Sequence, residues 1–162
     1  MDFKEILLKK ITDQFPELKI DTTDFRDELT FSFDKSFIIP VCTFLKSNPD
    51  LEFILCADIT AIDWAERKNR FTLVYNLYSF KNNFRLRLKS NVDESDCTID
   101  SVTSVWKSAN WQERETYDMY GIKFNTHPDL RRMYMPEEFE YHPLKKDFPL
   151  TGIPGSLPLP KK

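Results

Sequence analysis

The first residues place Phe3, Leu7, Ile11 and Phe15 four apart, with Lys4, Glu5, Lys9, Lys10 and Asp13 between them. An apolar row at that interval, with charge around it, predicts an amphipathic helix ended by Pro16. From Leu18 to Phe33 the period shortens, and Leu29, Phe31 and Phe33 share one face, which predicts two short strands. Pro40 can occupy a first helical turn, so VCTFLKS reads as a short helix stopped at Asn48-Pro49. The run LEFILCADITAID from Leu51 is too continuous for a one-sided strand and is expected at the centre of the sheet, covered on both faces. RFTLVYNLYSF and NNFRLRLKS then alternate, completing a meander. On the last of these strands Arg85, Arg87 and Lys89 share one face, which reads as solvated, with a docking surface as the alternative. Helical spacing returns at Val102, Val105, Trp106 and Ala109, with Thr98 or Asp100 as cap. It continues through Trp111 to Tyr120, where Gly121 can supply a left-handed stop.

Past Gly121 both periods fade. Pro136, Pro143, Pro149, Pro154, Pro158 and Pro160 follow with only two glycines, so residues 136–162 are expected to form an extended, stiff arm. Phe139, Tyr141, Leu144, Phe148 and Leu150 make that arm too apolar for open solvent, and it should lie on its own domain or on another subunit. The expected organisation is therefore an α+β domain over 1–135, with a mixed or antiparallel sheet and packed helices, followed by a proline-rich C-terminal arm over 136–162.

Composition narrows the function classes. A chain of 162 residues with 41% apolar content can bury a single core, roughly 70% of its unfolded surface for a domain of this size. A net charge of -3 offers no basic footprint for nucleic acid. Cys42, Cys56 and Cys97 are too few and too scattered for a four-thiolate cluster or a zinc ribbon, and the odd count suits a reducing compartment. The acids of the first helix argue against a transit peptide. The longest apolar run, FIIPVCTFL, is broken by Pro40 and falls short of the about 20 residues a bilayer crossing needs. Membrane association would have to be borrowed from a partner.

Candidate chemistry concentrates between Trp111 and Gly152. Glu113, Glu115 and Asp118 could act as acid-base groups, Glu115 and Asp118 three apart on one helical face. Alternatively Arg114 and Asp118, four apart, form a surface helix pair worth about 0.2–0.5 kcal/mol. No Gly-rich loop, nucleophile elbow or cofactor fingerprint accompanies them, so the carboxylates read as fixing structure or a partner. His127 and His142, with Asp129 or Asp147, raise a metal site, but neither has a helical i, i+4 partner. Each precedes a proline, Pro128 or Pro143, which favours an extended, hydrogen-bonded or interface histidine. Arg131 and Arg132 could take a phosphate or neutralise Glu113, Glu115 or Asp118 across the turn at Gly121, and local charge balance favours the second. A free-standing carboxylate- or metal-dependent hydrolase is the reading from a different class.

The segment ERETYDMYGIKFNTHPDLRR, from Glu113 to Arg132, and HPLKKDFPLTG, from His142 to Gly152, resemble the C-type subunits of NADH-quinone oxidoreductase, the thirty-kilodalton subunit family of respiratory complex I. FLKSNPDLEFILCADITAIDW, from Phe44 to Trp64, is similar to that family's segment leading into its sheet. Glu113, Arg114, Glu115, Asp118, Gly121, His127, Pro128, Arg131 and Arg132 fall on the signature. His142, Pro143, Leu144, Asp147, Phe148, Pro149 and Leu150 match the terminal motif. Tyr141 stands where the family usually has glycine, Lys145 where arginine is common and Tyr134 where an aliphatic is usual.

The resemblance implies a peripheral-arm subunit of a proton-translocating NADH:quinone oxidoreductase, with no cofactor and no catalytic centre of its own. Flavin, iron-sulfur clusters and the quinone pocket would reside in partner chains, and the signature residues would face subunits of the D and B types. It would sit peripherally on the cytoplasmic face of a bacterial membrane, held there through the complex. The equivalent subunit of a membrane-bound hydrogenase or an F420-type dehydrogenase is the alternative within the same architecture.

Overall fold

In the computed structural model, which describes residues 2–65 and 68–153, the first apolar row forms α1 (Phe3–Gln14). The Glu5 carboxylate accepts the Asp2 backbone N–H at 3.2 Å, and Leu7 and Ile11 are fully buried. Each such side chain contributes about 1.5–3 kcal/mol of burial, enough to hold a helix too short to persist alone. Next come β1 (Asp21–Phe25) and β2 (Glu28–Ser32), joined by Arg26 and Asp27, both at positive φ as a tight hairpin turn requires. Then follow α2 (Ile38–Ser47), with Pro40 in its first turn, β3 (Leu55–Asp63), β4 (Phe71–Ser79) and β5 (Phe84–Val92). The chain continues as β6 (Thr98–Asp100), α3 (Ala109–Tyr120) and β7 (Lys123–Asn125).

The fold is α+β with a mixed sheet. Its strands run in the order β1-β2-β5-β4-β3, β2 parallel to β5 and every other neighbouring pair antiparallel. Leu7 and Ile11 of α1 and Val41 and Leu45 of α2 share one core with Phe31, Tyr75 and Leu88. The opposite face of β5 carries Arg85, Arg87 and Lys89. There Arg87 pairs with Glu28 at 2.6 Å and Arg85 lies over the Tyr78 ring, as a solvated stripe does.

The stretch from Leu51 is not central. Leu51 and Phe53 are buried in the turn after α2, and the strand that follows is an edge, whereas β5 occupies the middle. The apolar run joins two different burial environments, which is why it looks like one doubly covered strand. The outer edge of β3 is covered by α3. Thr116 Oγ1 donates to Ile59 O at 3.2 Å, Gln112 Nε2 to Ala57 O at 2.9 Å, and Ser108 Oγ to Cys56 O at 3.3 Å. A helix thus occupies carbonyls that a bare edge would offer to another chain.

The helix expected from Val102 begins only at Ala109. Thr98 and Asp100 belong to β6 rather than to a cap, and Val102–Ser104 is a single 3-10 turn that Ser101 caps by accepting the Thr103 N–H. Parallel pairing of β6 with β7 draws the chain away from a continuous helix, and Trp106 is held separately by its indole N–H on Phe53 O at 3.1 Å. The three-residue β7 is too short to leave a period in the sequence. At the other end of α3, Gly121 takes φ 80 as the left-handed cap. Among the described residues no helix or strand follows Asn125. The proposed arm's Pro154, Pro158 and Pro160 lie outside the described residues.

Candidate functional site

α3 carries two fully buried carboxylates, and each gathers a different piece of chain. Glu113 faces back toward the turn before the helix. Ser101 Oγ donates to its Oε2 at 2.6 Å and the Val102 N–H donates to its Oε1 at 2.7 Å. His127 Nε2 lies 3.9 Å from Oε2. The Nδ1 of His127 accepts the Asp129 N–H at 3.0 Å, so the proton sits on Nε2, 3.2 Å from Asn110 O. Burial pushes the Glu113 carboxyl up to about 7, against the opposing pull of Ser101 and Val102. Burial likewise lowers His127, so this contact is an uncharged imidazole beside a carboxyl that changes charge near neutrality.

Asp118 faces forward. Its Oδ2 accepts three consecutive backbone N–H groups, Met133 at 3.0 Å, Tyr134 at 2.7 Å and Met135 at 3.0 Å, while Arg132 Nη1 donates to Oδ1 at 2.7 Å. Burial would raise this carboxyl, but the three amides and the guanidinium outweigh it and hold the group below the usual carboxylate range. Arg132 also donates from Nη1 and Nη2 to Tyr141 O, both at 3.1 Å.

The expected Arg114–Asp118 helix pair does not form. A pair of that kind belongs on a solvated helix face, and both side chains are buried here with other partners. Arg114 Nε donates to Arg131 O at 3.1 Å and Nη2 to Arg132 O at 3.3 Å, while the guanidinium lies 4.9 Å from the Trp111 ring centre. Of the two adjacent arginines, Arg132 neutralises Asp118 and Arg131 pairs with Asp129 at 2.9 Å. Glu115 is exposed. His142 Nδ1 lies 2.9 Å from Asp118 O, and a Cβ added to Gly121 would come within 2.7 Å of its ring. Gly121 is therefore required twice, for its positive φ and for the approach of His142.

The terminal motif lies on the same domain. The Leu144 N–H donates to Met119 O at 3.0 Å and the Lys146 N–H to Asp63 Oδ2 at 2.8 Å. Asp147 meets Arg70, which also holds Asp63 through two bonds of 2.9 Å and Glu94 at 2.7 Å. Burial would raise Asp63, yet Arg70 and two backbone amides bring it to about 2. Phe139 is buried, with the rings of Tyr141 and Phe148 against it at 5.6 and 6.3 Å. Tyr141 has no positive φ, so the backbone accommodates a side chain at this position. Lys145 reaches Glu94 at 3.7 Å and lies over the Phe71 ring. Pro128 and Pro143 follow their histidines in irregular backbone, and Pro149 and Leu150 are exposed.

Arg70, Asp63, Glu94 and Ser101 escaped sequence reasoning. Asp63 had a signal: it stands in phase with the inward Ile59 and Ala61, and a charge on a core phase implies a buried partner. Both histidines have ring nitrogens engaged by backbone groups, and among the described residues no group of three or more His, Cys, Asp and Glu side chains is arranged to hold a metal. Trp111, Tyr134, Leu144 and Leu150 remain at least half exposed.

Residues 31–154 match the family described as "Respiratory-chain NADH dehydrogenase, 30 Kd subunit". The C subunit of NADH-quinone oxidoreductase from Geobacter sulfurreducens is 46% identical over 144 residues, covering 88% of each chain. Its counterpart in Geobacter metallireducens is 47% identical over 92% of this chain and 91% of its own. The mitochondrial "NADH dehydrogenase [ubiquinone] iron-sulfur protein 3" of Candida albicans is 47% identical over 79% of this chain and 46% of its own. Among solved structures, the trypsin-resistant fragment (1-134) of Nqo5 aligns with a TM-score of 0.62 at 28% identity, covering 76% of this chain and 99% of the fragment. A chain of the archaeal membrane-bound sulfane sulfur reductase aligns with a TM-score of 0.73 over 92% of this chain and 87% of its own, and at 22% identity it shares the fold.

Proposed function

The chain belongs to the 30 Kd subunit family of respiratory-chain NADH dehydrogenase, and from that membership we propose that it serves NADH-quinone oxidoreductase as a cofactor-free scaffold, without a catalytic centre of its own. One observation carries the reading: the groups that could do chemistry are already committed within the chain, while apolar side chains are left outside. Glu113, Arg114, Asp118, Arg132 and Asp147 all have intrachain partners. The exposed Trp111, Tyr134, Leu144 and Leu150 are the residues a partner would cover.

On this reading the buried signature residues shape the interface, and the exposed ones, with Arg131, Pro149 and the chain beyond, make the contact. The partners are quinone-side subunits of the D and B types, and flavin and clusters belong to other chains. No helix among the described residues is long and apolar enough to cross a membrane, and attachment to the cytoplasmic face of the membrane runs through the complex. Among the described residues the arm is not extended: residues 136–153 run over the domain as successive turns, the N–H groups of Phe139, Lys145, Phe148 and Gly152 donating to the carbonyls of Pro136, His142, Lys145 and Pro149. The clasping contact with partners is assigned to the chain past Pro149.

A tagged chain recovered from native membranes in mild detergent, analysed by mass spectrometry and by an NADH:quinone assay, tests this. Co-recovery of flavin- and cluster-bearing subunits with inhibitor-sensitive activity is the expected result. A chain truncated after Pro149 should fold and fail to join them, and normal incorporation of that truncation would remove the clasp from the proposal.

A further inference from the structure

Arg70 stands immediately before β4 and joins three separated parts of the chain. Its Nε and Nη2 hold both oxygens of Asp63 on β3, Nη1 holds Glu94 in the turn after β5, and both Nη1 and Nη2 reach Asp147 at 3.2 and 3.1 Å. The burial of these groups is unequal. The side chains of Arg70 and Asp63 are 7% and 1% exposed, whereas that of Asp147 is 65% exposed. Asp63 is also the acceptor for the Lys146 N–H. An inner pair, closed and satisfied by itself, therefore presents a ready socket to two adjacent residues of the terminal motif. At the other end of that motif the ties are backbone carbonyls at the C-terminus of α3, Asp118 O to the His142 ring and Met119 O to the Leu144 N–H.

We propose that Arg70 and Asp63 are the catch of a latch, and Lys146 and Asp147 its tongue, so that residues 142–150 open and close as a unit on a domain that stays folded. Closure fixes the direction in which the chain leaves past Pro149 and sets Leu144 beside the end of α3. The latch deepens the docking reading above, and rests on it for one claim only: that the closed form is the one partner subunits bind. A guanidinium suits the task because its fork holds one carboxylate through two bonds while keeping donors free for another. The Asp147 contact, at an exposed side chain, is the tie that can break first.

The test uses the full chain and Asp147→Asn, whose exposed position leaves the core intact. Amide-hydrogen exchange of peptides covering 142–153 is compared with that of the strands, together with trypsin cleavage after Lys145 and Lys146. Loss of the charge at a side chain this exposed predicts about two- to fivefold faster exchange and cleavage in the motif, with the strands unchanged. Arg70→Lys, which keeps the charge and loses the fork, should accelerate the same peptides at least as much, because one ammonium cannot hold Asp63 and Asp147 together. Unchanged exchange in the motif of both variants would overturn the latch, as would strands that open together with the motif. Incorporation into the complex is read separately. An Asp147→Asn chain that opens yet assembles normally retains the latch and removes the docking claim built on it.

Discussion

Glu113 and Asp118 lie on the same helix, both fully buried, and their acidities move in opposite directions. The difference lies in the donors. Glu113 has one hydroxyl and one amide, and its nearest basic group is an imidazole already directed at Asn110 O. Asp118 has three amides and a guanidinium. Burial costs both charges; what separates them is whether the site was built to receive a charge. Asp118 is a permanent anion around which the 132–135 loop is wound, and Glu113 changes protonation state near neutral pH.

The largest break in that comparison is Asp118→Ala. It leaves Arg132 without its carboxylate and three amides without an acceptor, and should cost about 3–5 kcal/mol in chemical denaturation, against a smaller loss for Asp118→Asn. Equal losses for the two variants would mean that charge is not what organises the loop.

Glu113 sharpens the comparison through pH. Its folded-state value of about 7 is above the ordinary 4.5, so the folded chain keeps the proton longer. The associated stability is fully present below the ordinary value and is lost as pH rises through 7, reaching roughly 3 kcal/mol. Glu113→Gln should flatten the decline in melting temperature between about pH 4.5 and 7, the interval set by the ordinary and folded values. For Asp118 the sign is reversed: its contribution is present above the ordinary carboxylate range and fades as pH falls.

Gly121→Ala combines a positive φ with a Cβ driven against His142, and should cost about 2 kcal/mol. Gly152→Ala has a comparable φ of +71 with nothing within 4 Å, so it isolates the backbone part, about 1 kcal/mol. If the two cost the same, the approach of His142 contributes nothing. The smallest effect belongs to Glu115→Ala, an exposed acid between the two buried ones, which should stay within about 0.5 kcal/mol in thermal unfolding.

From the chain alone, α1, the β3–β4–β5 meander, the stop at Gly121 and the family signature could be read. Each depends on neighbours a few residues apart: a period of 3.6 or 2, a φ only glycine takes easily, a set of side chains in fixed order. Tertiary structure alone decided that β3 is an edge closed by α3, because an apolar run reports that a segment is covered without reporting what covers it. It also decided that Asp118 belongs to Arg132 and not to Arg114, and that Arg70 holds Asp147 across 77 residues. Such pairings are chosen by where helices and strands dock, and a buried charge bonds whatever donor that docking brings within reach.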